Sequence, residues 1–116
     1  MAAHISITCR NLVLDPATDV LSGECNDGQG DHAAFQKTSL DLNTCLVYDI
    51  TQARILWRKG GNFGAQCKGC SLFWTKDPIW GGQLLNLECT CAGADTTFDI
   101  DSSYIDNKFG TLVCSS

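Results

Sequence analysis

The sequence predicts an all-β domain built from two tandem copies of one small unit. Three observations predict it. The chain repeats itself, its apolar residues fall in short runs with no long 3.6-residue period, and eight cysteines are spread along only 116 residues. Leu21-Ser22-Gly23-Glu24-Cys25 reads Leu-x-x-Glu-Cys, and Leu85-Asn86-Leu87-Glu88-Cys89 repeats it 64 residues later. Cys9 and Leu14 match Cys67 and Leu72 at a shift of 58, and each copy carries an Asp-Pro turn, Asp15-Pro16 and Asp77-Pro78. Asp41-Leu42-Asn43 matches Asp99-Ile100-Asp101 at 58, and Ile55-Leu56-Trp57 matches Leu112-Val113-Cys114 at 57. The shift changes only between strand-like segments, as two copies with loop insertions require.

Each element has its own justification. Thr8–Leu14 and Thr18–Cys25 form a hairpin around Asp15-Pro16, because proline cannot join a central ladder and aspartate favours turns. Gly28-Gln29-Gly30 makes the next turn, a third strand ends near Leu40-Asp41-Leu42, and Arg54–Trp57 is a fourth. A single helical turn follows each Asp-Leu-Asn or Asp-Ile-Asp, since these residues cap well. Arg58–Gly64 joins the copies. The second copy has a hairpin, Gln66–Phe73 with Gln83–Cys91, then strands Thr96–Ile100 and Thr111–Cys114. Neither unit of about 50 residues holds enough apolar side chains to stand alone, so a shared core with strands exchanged between copies is expected.

Composition excludes several classes. Eight Lys and Arg against thirteen Asp and Glu give a net charge of −5, and the only adjacent basic pair is Arg58-Lys59. Such a chain is a poor holder of phosphate backbones, so no nucleic acid partner is expected. The longest apolar runs are a few residues, such as Leu12-Val13-Leu14, so no membrane insertion is expected.

The cysteines are Cys9, Cys25, Cys45, Cys67, Cys70, Cys89, Cys91 and Cys114. An even number in a small chain reads as a disulfide framework and a secreted, extracellular protein, although spacing alone leaves about 105 pairings open. Met1-Ala2-Ala3-His4 has neither a basic nor an apolar signal region, so a mature form carrying a start Met is expected. The rival reading is a zinc site at Cys67-x2-Cys70 and Cys89-x-Cys91. Its second pair is one residue short of the usual spacing, and it leaves the other four cysteines unexplained. No metal and no cofactor are expected.

The ordered motifs resemble one family. Cys-x5-Leu, Leu-x-x-Glu-Cys, Ser39-Leu40-Asp41-Leu42-Asn43, Ile55-Leu56-Trp57, Gly61-Asn62-Phe63 and Asn107-Lys108-Phe109-Gly110-Thr111-Leu112 together resemble the cyanovirin-N homologues, two-repeat lectins, over roughly His4 to Cys114. The cysteine after Asp-Leu-Asn and the terminal Leu-x-Cys look like the fungal branch. The resemblance implies two pseudo-symmetric halves, each a three-stranded sheet plus a β-hairpin, with strand exchange between halves. It implies a single domain over 1–116, with repeats at about 4–59 and 60–116. The terminal half would be formed by 1–45 plus 103–116 and the middle half by 46–102. It also implies disulfides Cys9–Cys25, Cys67–Cys89, Cys45–Cys114 and Cys70–Cys91.

In function, the resemblance implies non-catalytic binding of mannose-containing glycans, high-mannose and α1,2-linked. The partners would be oligosaccharides or glycoprotein glycans, and the protein a monomer, with a domain-swapped dimer as the alternative. Shallow pockets of backbone amides, Asn, Asp, Thr and Gln can pair with several sugar hydroxyls at once. The terminal-half site would use Ser6, Ile7, Thr8, Asn26, Asp27, Gly28, Asn107, Lys108 and Phe109. Phe109 and Ile7 stand there at Asp-like and Gln-like positions. A weaker middle-half site would use Tyr48, Asp49, Thr51, Gln52, Asn62, Gly64, Gln66, Thr90, Cys91 and Ala92.

Enzyme chemistry finds little support. His4 and His32 lie in no Ser/His/Asp or Cys/His arrangement, and Asp99, Asp101 and Asp106 read as turn and cap residues. Trp57 is matched between copies and expected in the core. Phe73, Trp74 and Trp80 surround an enlarged hairpin at 73–82. If Trp74 and Trp80 are exposed there, the alternative function is a secreted interaction protein that has lost sugar binding and contacts a protein partner through that hairpin.

Overall fold

In a computed structural model, residues 5–28, 34–76, 79, 82–101 and 103–114 are described. The strands are β1 (Cys9–Asp15), β2 (Val20–Asn26), β3 (Phe35–Asp41), β4 (Leu46–Asp49) and β5 (Arg54–Trp57), then β6 (Cys67–Lys76), β7 (Gln83–Cys91), β8 (Ala94–Asp99), β9 (Ile105–Lys108) and β10 (Thr111–Cys114). They form antiparallel sheets β1-β2-β3 and β6-β7-β8 and hairpins β4-β5 and β9-β10. The C-terminal β10 lies against β3, whereas β5 lies against β8. Each three-stranded sheet is therefore completed by the other copy's hairpin. This is the all-β, strand-exchanged, cyanovirin-N-like architecture.

Pseudo-symmetry extends to single bonds. Asn43 Oδ1 accepts from Gly64 N at 2.8 Å, and Asp101 Oδ1 accepts from Ser6 N at 3.0 Å. Leu42 N donates to Asp19 O at 3.1 Å, and Ile100 N donates to Leu85 O at 3.0 Å. One apolar cluster serves both copies: Leu21, Leu42, Leu46 and Ile5 from the first part of the chain are fully buried with Leu87, Ile100, Ile105 and Phe63. Each such side chain contributes about 1.5–3 kcal/mol by leaving water.

Local chemistry closes the turns. Asp15 Oδ1 accepts from Ala17 N at 2.9 Å, which makes the predicted Asp15-Pro16 turn. Asp41 Oδ1 accepts from Asn43 N at 2.9 Å and caps a single 3-10 turn, Leu42–Thr44, as expected after Asp-Leu-Asn. A further 3-10 turn at Phe63–Ala65 and the helical turn Ile5–Thr8 were not legible, because each is too short to show a period. Strands β4 and β9 were also missed; at four residues each, they offer little alternation to read. The Asp77-Pro78 turn and the Gln29-Gly30 part of the Gly28 turn lie outside the described residues, as do His4, His32 and Trp80.

Cys9–Cys25 and Cys45–Cys114 are paired as the resemblance implied, but Cys67 joins Cys91 and Cys70 joins Cys89, correcting the expected Cys67–Cys89 and Cys70–Cys91. The cause is register. Cys9 faces Cys25 across β1 and β2, and Cys67 faces Cys91 across β6 and β7. Both pairs are followed by the same bulge, with left-handed Asn11 (φ 54°) in one copy and Gly69 (φ 62°) in the other. Cys91, not Cys89, is therefore the counterpart of Cys25. Cys70 and Cys89 occupy the places of Leu12 and Gly23, where a Cβ added to Gly23 would lie 2.7 Å from Leu12 Cδ2. A disulfide in one copy thus replaces a leucine packed on a glycine in the other.

Candidate functional site

The site forms where β9-β10 meets the first sheet. Leu112 N donates to Thr38 Oγ1 at 3.0 Å, and Gln36 Nε2 donates to Thr111 Oγ1 at 3.4 Å. These bonds hold β10 beside β3. Lys108 pairs with Thr111, so the hairpin turns through Phe109 and Gly110 alone. Their φ values, 52° and 91°, are both left-handed, the pattern of a type I′ turn.

Asn107 ties that turn to the end of β2. Its Oδ1 accepts from Gly110 N at 2.8 Å, and its Nδ2 donates to Asn26 O at 2.9 Å. Asn26 Oδ1 accepts in turn from Gly28 N at 2.7 Å. Between these loops lies an open groove of about 490 Å³, lined by Thr8, Asn26, Gly28, Asp106, Asn107, Lys108 and Phe109. The volume falls in the range of small-ligand sites. Asp106 Oδ1 accepts from Asn107 N at 2.8 Å, which holds a carboxylate two residues from the exposed Lys108. Among the described residues, the groove therefore offers amide and hydroxyl groups with one charge of each sign.

Six of the nine terminal-half residues expected from sequence line this groove; Ser6, Ile7 and Asp27 do not, and Asp106 was not foreseen. Ser6 instead donates its backbone N–H to Asp101, and Ile7 points an exposed side chain into solvent. Asp27 Oδ1 accepts from Ala34 N at 3.2 Å and closes the loop behind Gly28. The signal for Asp106 was its place next to Asn107 on a strand that sequence reading missed.

The middle half is organised differently. Tyr48 is buried in the core and Cys91 is 0% exposed within a disulfide, so neither offers surface to a ligand, contrary to expectation. Asp49 Oδ1 accepts from Thr51 N at 2.9 Å and Gln52 N at 3.1 Å, and its Oδ2 accepts from Gln52 Nε2 at 3.3 Å. The carboxylate is consumed by its own turn. Gly64 spends its N–H on Asn43, and Gln66 O accepts from Ala92 N at 3.3 Å. Asn62 and Ala92 hold left-handed turn positions, and Thr90 Oγ1 reaches Asp95 at 3.5 Å. Most of these residues are exposed, and their hydrogen bonds hold local turns.

The metal alternative has no free ligand, since all four sulfurs of Cys67, Cys70, Cys89 and Cys91 lie in disulfides. On the enlarged hairpin, Trp74 of β6 is 49% exposed.

A solved structure described as a microvirin:mannobiose complex is similar, with a TM-score of 0.62 and 24% identity over 96% of this chain and 97% of that one. At that identity the likeness speaks for the fold. No curated protein sequence matches significantly. The family model described as the CVNH domain matches residues 6–113. With that match spanning both repeats and the strand-exchanged sheets in place, the chain belongs to the CVNH, or cyanovirin-N homologue, family.

Proposed function

We propose that this protein is a non-catalytic lectin for mannose-containing glycans, binding α1,2-linked mannose ends through the terminal-half groove. One observation carries the reading: an open groove whose walls present Asn26, Asn107, Thr8, Asp106 and Lys108, held in place by hydrogen bonds among the loops themselves. Such a wall meets hydroxyls without first reorganising, which limits the entropy cost of binding. Family membership and the mannobiose held by the similar structure agree with it. The protein would act outside the cell, because four disulfides persist best in an oxidising compartment.

Titration of ¹⁵N-labelled protein with α1,2-mannobiose tests this. Shifts should concentrate at Thr8, Asn26, Gly28, Asn107 and Lys108. The half-exposed Trp74 favours a second reading, a protein partner docking on the 73–82 hairpin. A silent sugar titration, together with partner capture lost in Trp74→Ala, would replace the lectin reading with that one.

A further inference from the structure

Phe109 is in the wrong place for a structural residue. Its ring is 74% exposed, so the core gains nothing from it. Its φ of 52° is one that a bulky side chain avoids, and type I′ turns favour Asn, Asp or Gly at this position. The fold nevertheless holds it firmly. Asn107 closes the turn onto Gly110 and ties it to Asn26 of β2, and Gly110 sits so close to Gln36 that an added Cβ would lie 2.6 Å from Gln36 Cδ. The ring leans over Gly28, where an added Cβ would lie 3.9 Å from Phe109 Cδ1. Gly28 thus stands beside the ring without crowding it, and both line the groove. The corresponding hairpin β4-β5 turns through Ile50, Thr51, Gln52 and Ala53 and presents no aromatic. Strain held in place by its surroundings beside a groove is a mark of function.

From this we infer that Phe109 is a platform on which a pyranose ring lays its C–H face, while the ring's hydroxyls turn towards Asn26, Asn107, Thr8 and Lys108. This rests on the lectin reading and deepens it. The ligand is a hexopyranose with a C–H patch clear of its axial oxygens; in an α-linked mannose, whose axial O1 shares the face of H3 and H5, that patch is H5 with the C6 methylene. Recognition is then divided between an apolar face and a polar wall. Affinity should depend on ring orientation as well as on the number of hydroxyls.

The test uses the intact protein, α1,2-mannobiose and three variants. Phe109→Asn suits the left-handed turn, so its melting temperature should equal or exceed that of the wild type, while affinity falls about tenfold. Phe109→Ala should lose affinity similarly, and Phe109→Trp should retain it. In the wild-type complex, saturation transfer should mark the H5 and H6 protons of the stacked sugar, and their resonances should move upfield. Wild-type binding with unchanged affinity in Phe109→Asn, or transfer spread evenly round the ring, overturns the platform and leaves the lectin standing. Absence of any wild-type binding removes both.

Discussion

Trp57 and Tyr104 meet edge to face at a centroid distance of 5.5 Å, at the pseudo-symmetric counterpart of the position where Cys45 and Cys114 are joined. Strand register fixes the equivalence. Leu46 pairs with Trp57 and Ile105 with Cys114; Cys45 directly precedes Leu46 as Tyr104 precedes Ile105. One hairpin is held by a covalent bond and its twin by an aromatic contact.

The two fastenings differ in strength. Cys45–Cys114 spans a sequence separation of 69, and closing such a loop stabilises the fold by about 4 kcal/mol in the chain-entropy model. An aromatic pair adds about 1 kcal/mol beyond its buried area. Amides of β4-β5 should therefore exchange with solvent faster than those of β9-β10. Replacing Cys45 and Cys114 together by Ser should lower unfolding stability by about 4 kcal/mol and reverse that order. Equal protection of both hairpins in the wild type would show that the aromatic pair holds as well as the disulfide.

The pairing of Cys70 with Cys89 is open to a sharper test. Cys70→Ala should leave a single reactive thiol at Cys89, since Cys67 and Cys91 stay paired. Alkylation followed by peptide mapping decides it, and a label on Cys91 would restore the connectivity expected from sequence.

That pairing also marks where the sequence was legible. The repeat could be read because offsets near 58 recur across the chain, the strand class because no long 3.6-residue period appears, and the exchange of strands from units too poor in apolar residues to stand alone and from the family resemblance. The pairing of Cys67 could not, because Leu85–Cys89 imitates Leu21–Cys25 two residues out of register. A slip of two keeps every side chain on the same face of the strand, so the apolar pattern gives no warning. Only the bulges at Asn11 and Gly69 anchor the register, and a bulge has no period to read. The site behaved likewise. Asn26 and Asn107 were legible through the family resemblance, whereas the use of Asp49 on its own turn and of the Gly64 N–H on the distant Asn43 side chain depends on hydrogen bonds that residue type alone does not specify.

Asp101 ties the amino-terminal turn to β7. Fully buried, it accepts from Ser6 N at 3.0 Å and from Leu85 N at 2.7 Å. Asp101→Ala strips the acceptor from two backbone donors and should cost about 3 kcal/mol in chemical denaturation. Asp101→Asn keeps one acceptor oxygen, as Asn43 does in the other copy, and should cost about 1 kcal/mol. Equal losses in the two variants would assign the effect to packing.

Asp19 carries the pH dependence. Burial raises its pKa above the ordinary value of 3.8, and the nearby carboxylates of Asp41 and Asp15 raise it further. The folded state therefore binds a proton more readily than the unfolded chain. For this group, stability is greatest below pH 3.8, falls as pH climbs from there through the raised folded value, and stays lowered above it. Asp19→Asn removes the charge, and asparagine tolerates the left-handed φ of 59° at this position. The variant should be more stable than the wild type at pH 7. The gain should shrink towards zero as pH drops below 3.8, where both side chains are neutral in the folded and unfolded states. Denaturation midpoints of wild type and variant across that range supply the check. Parallel curves would mean that the Asp19 carboxylate reaches enough water to ionise at no cost.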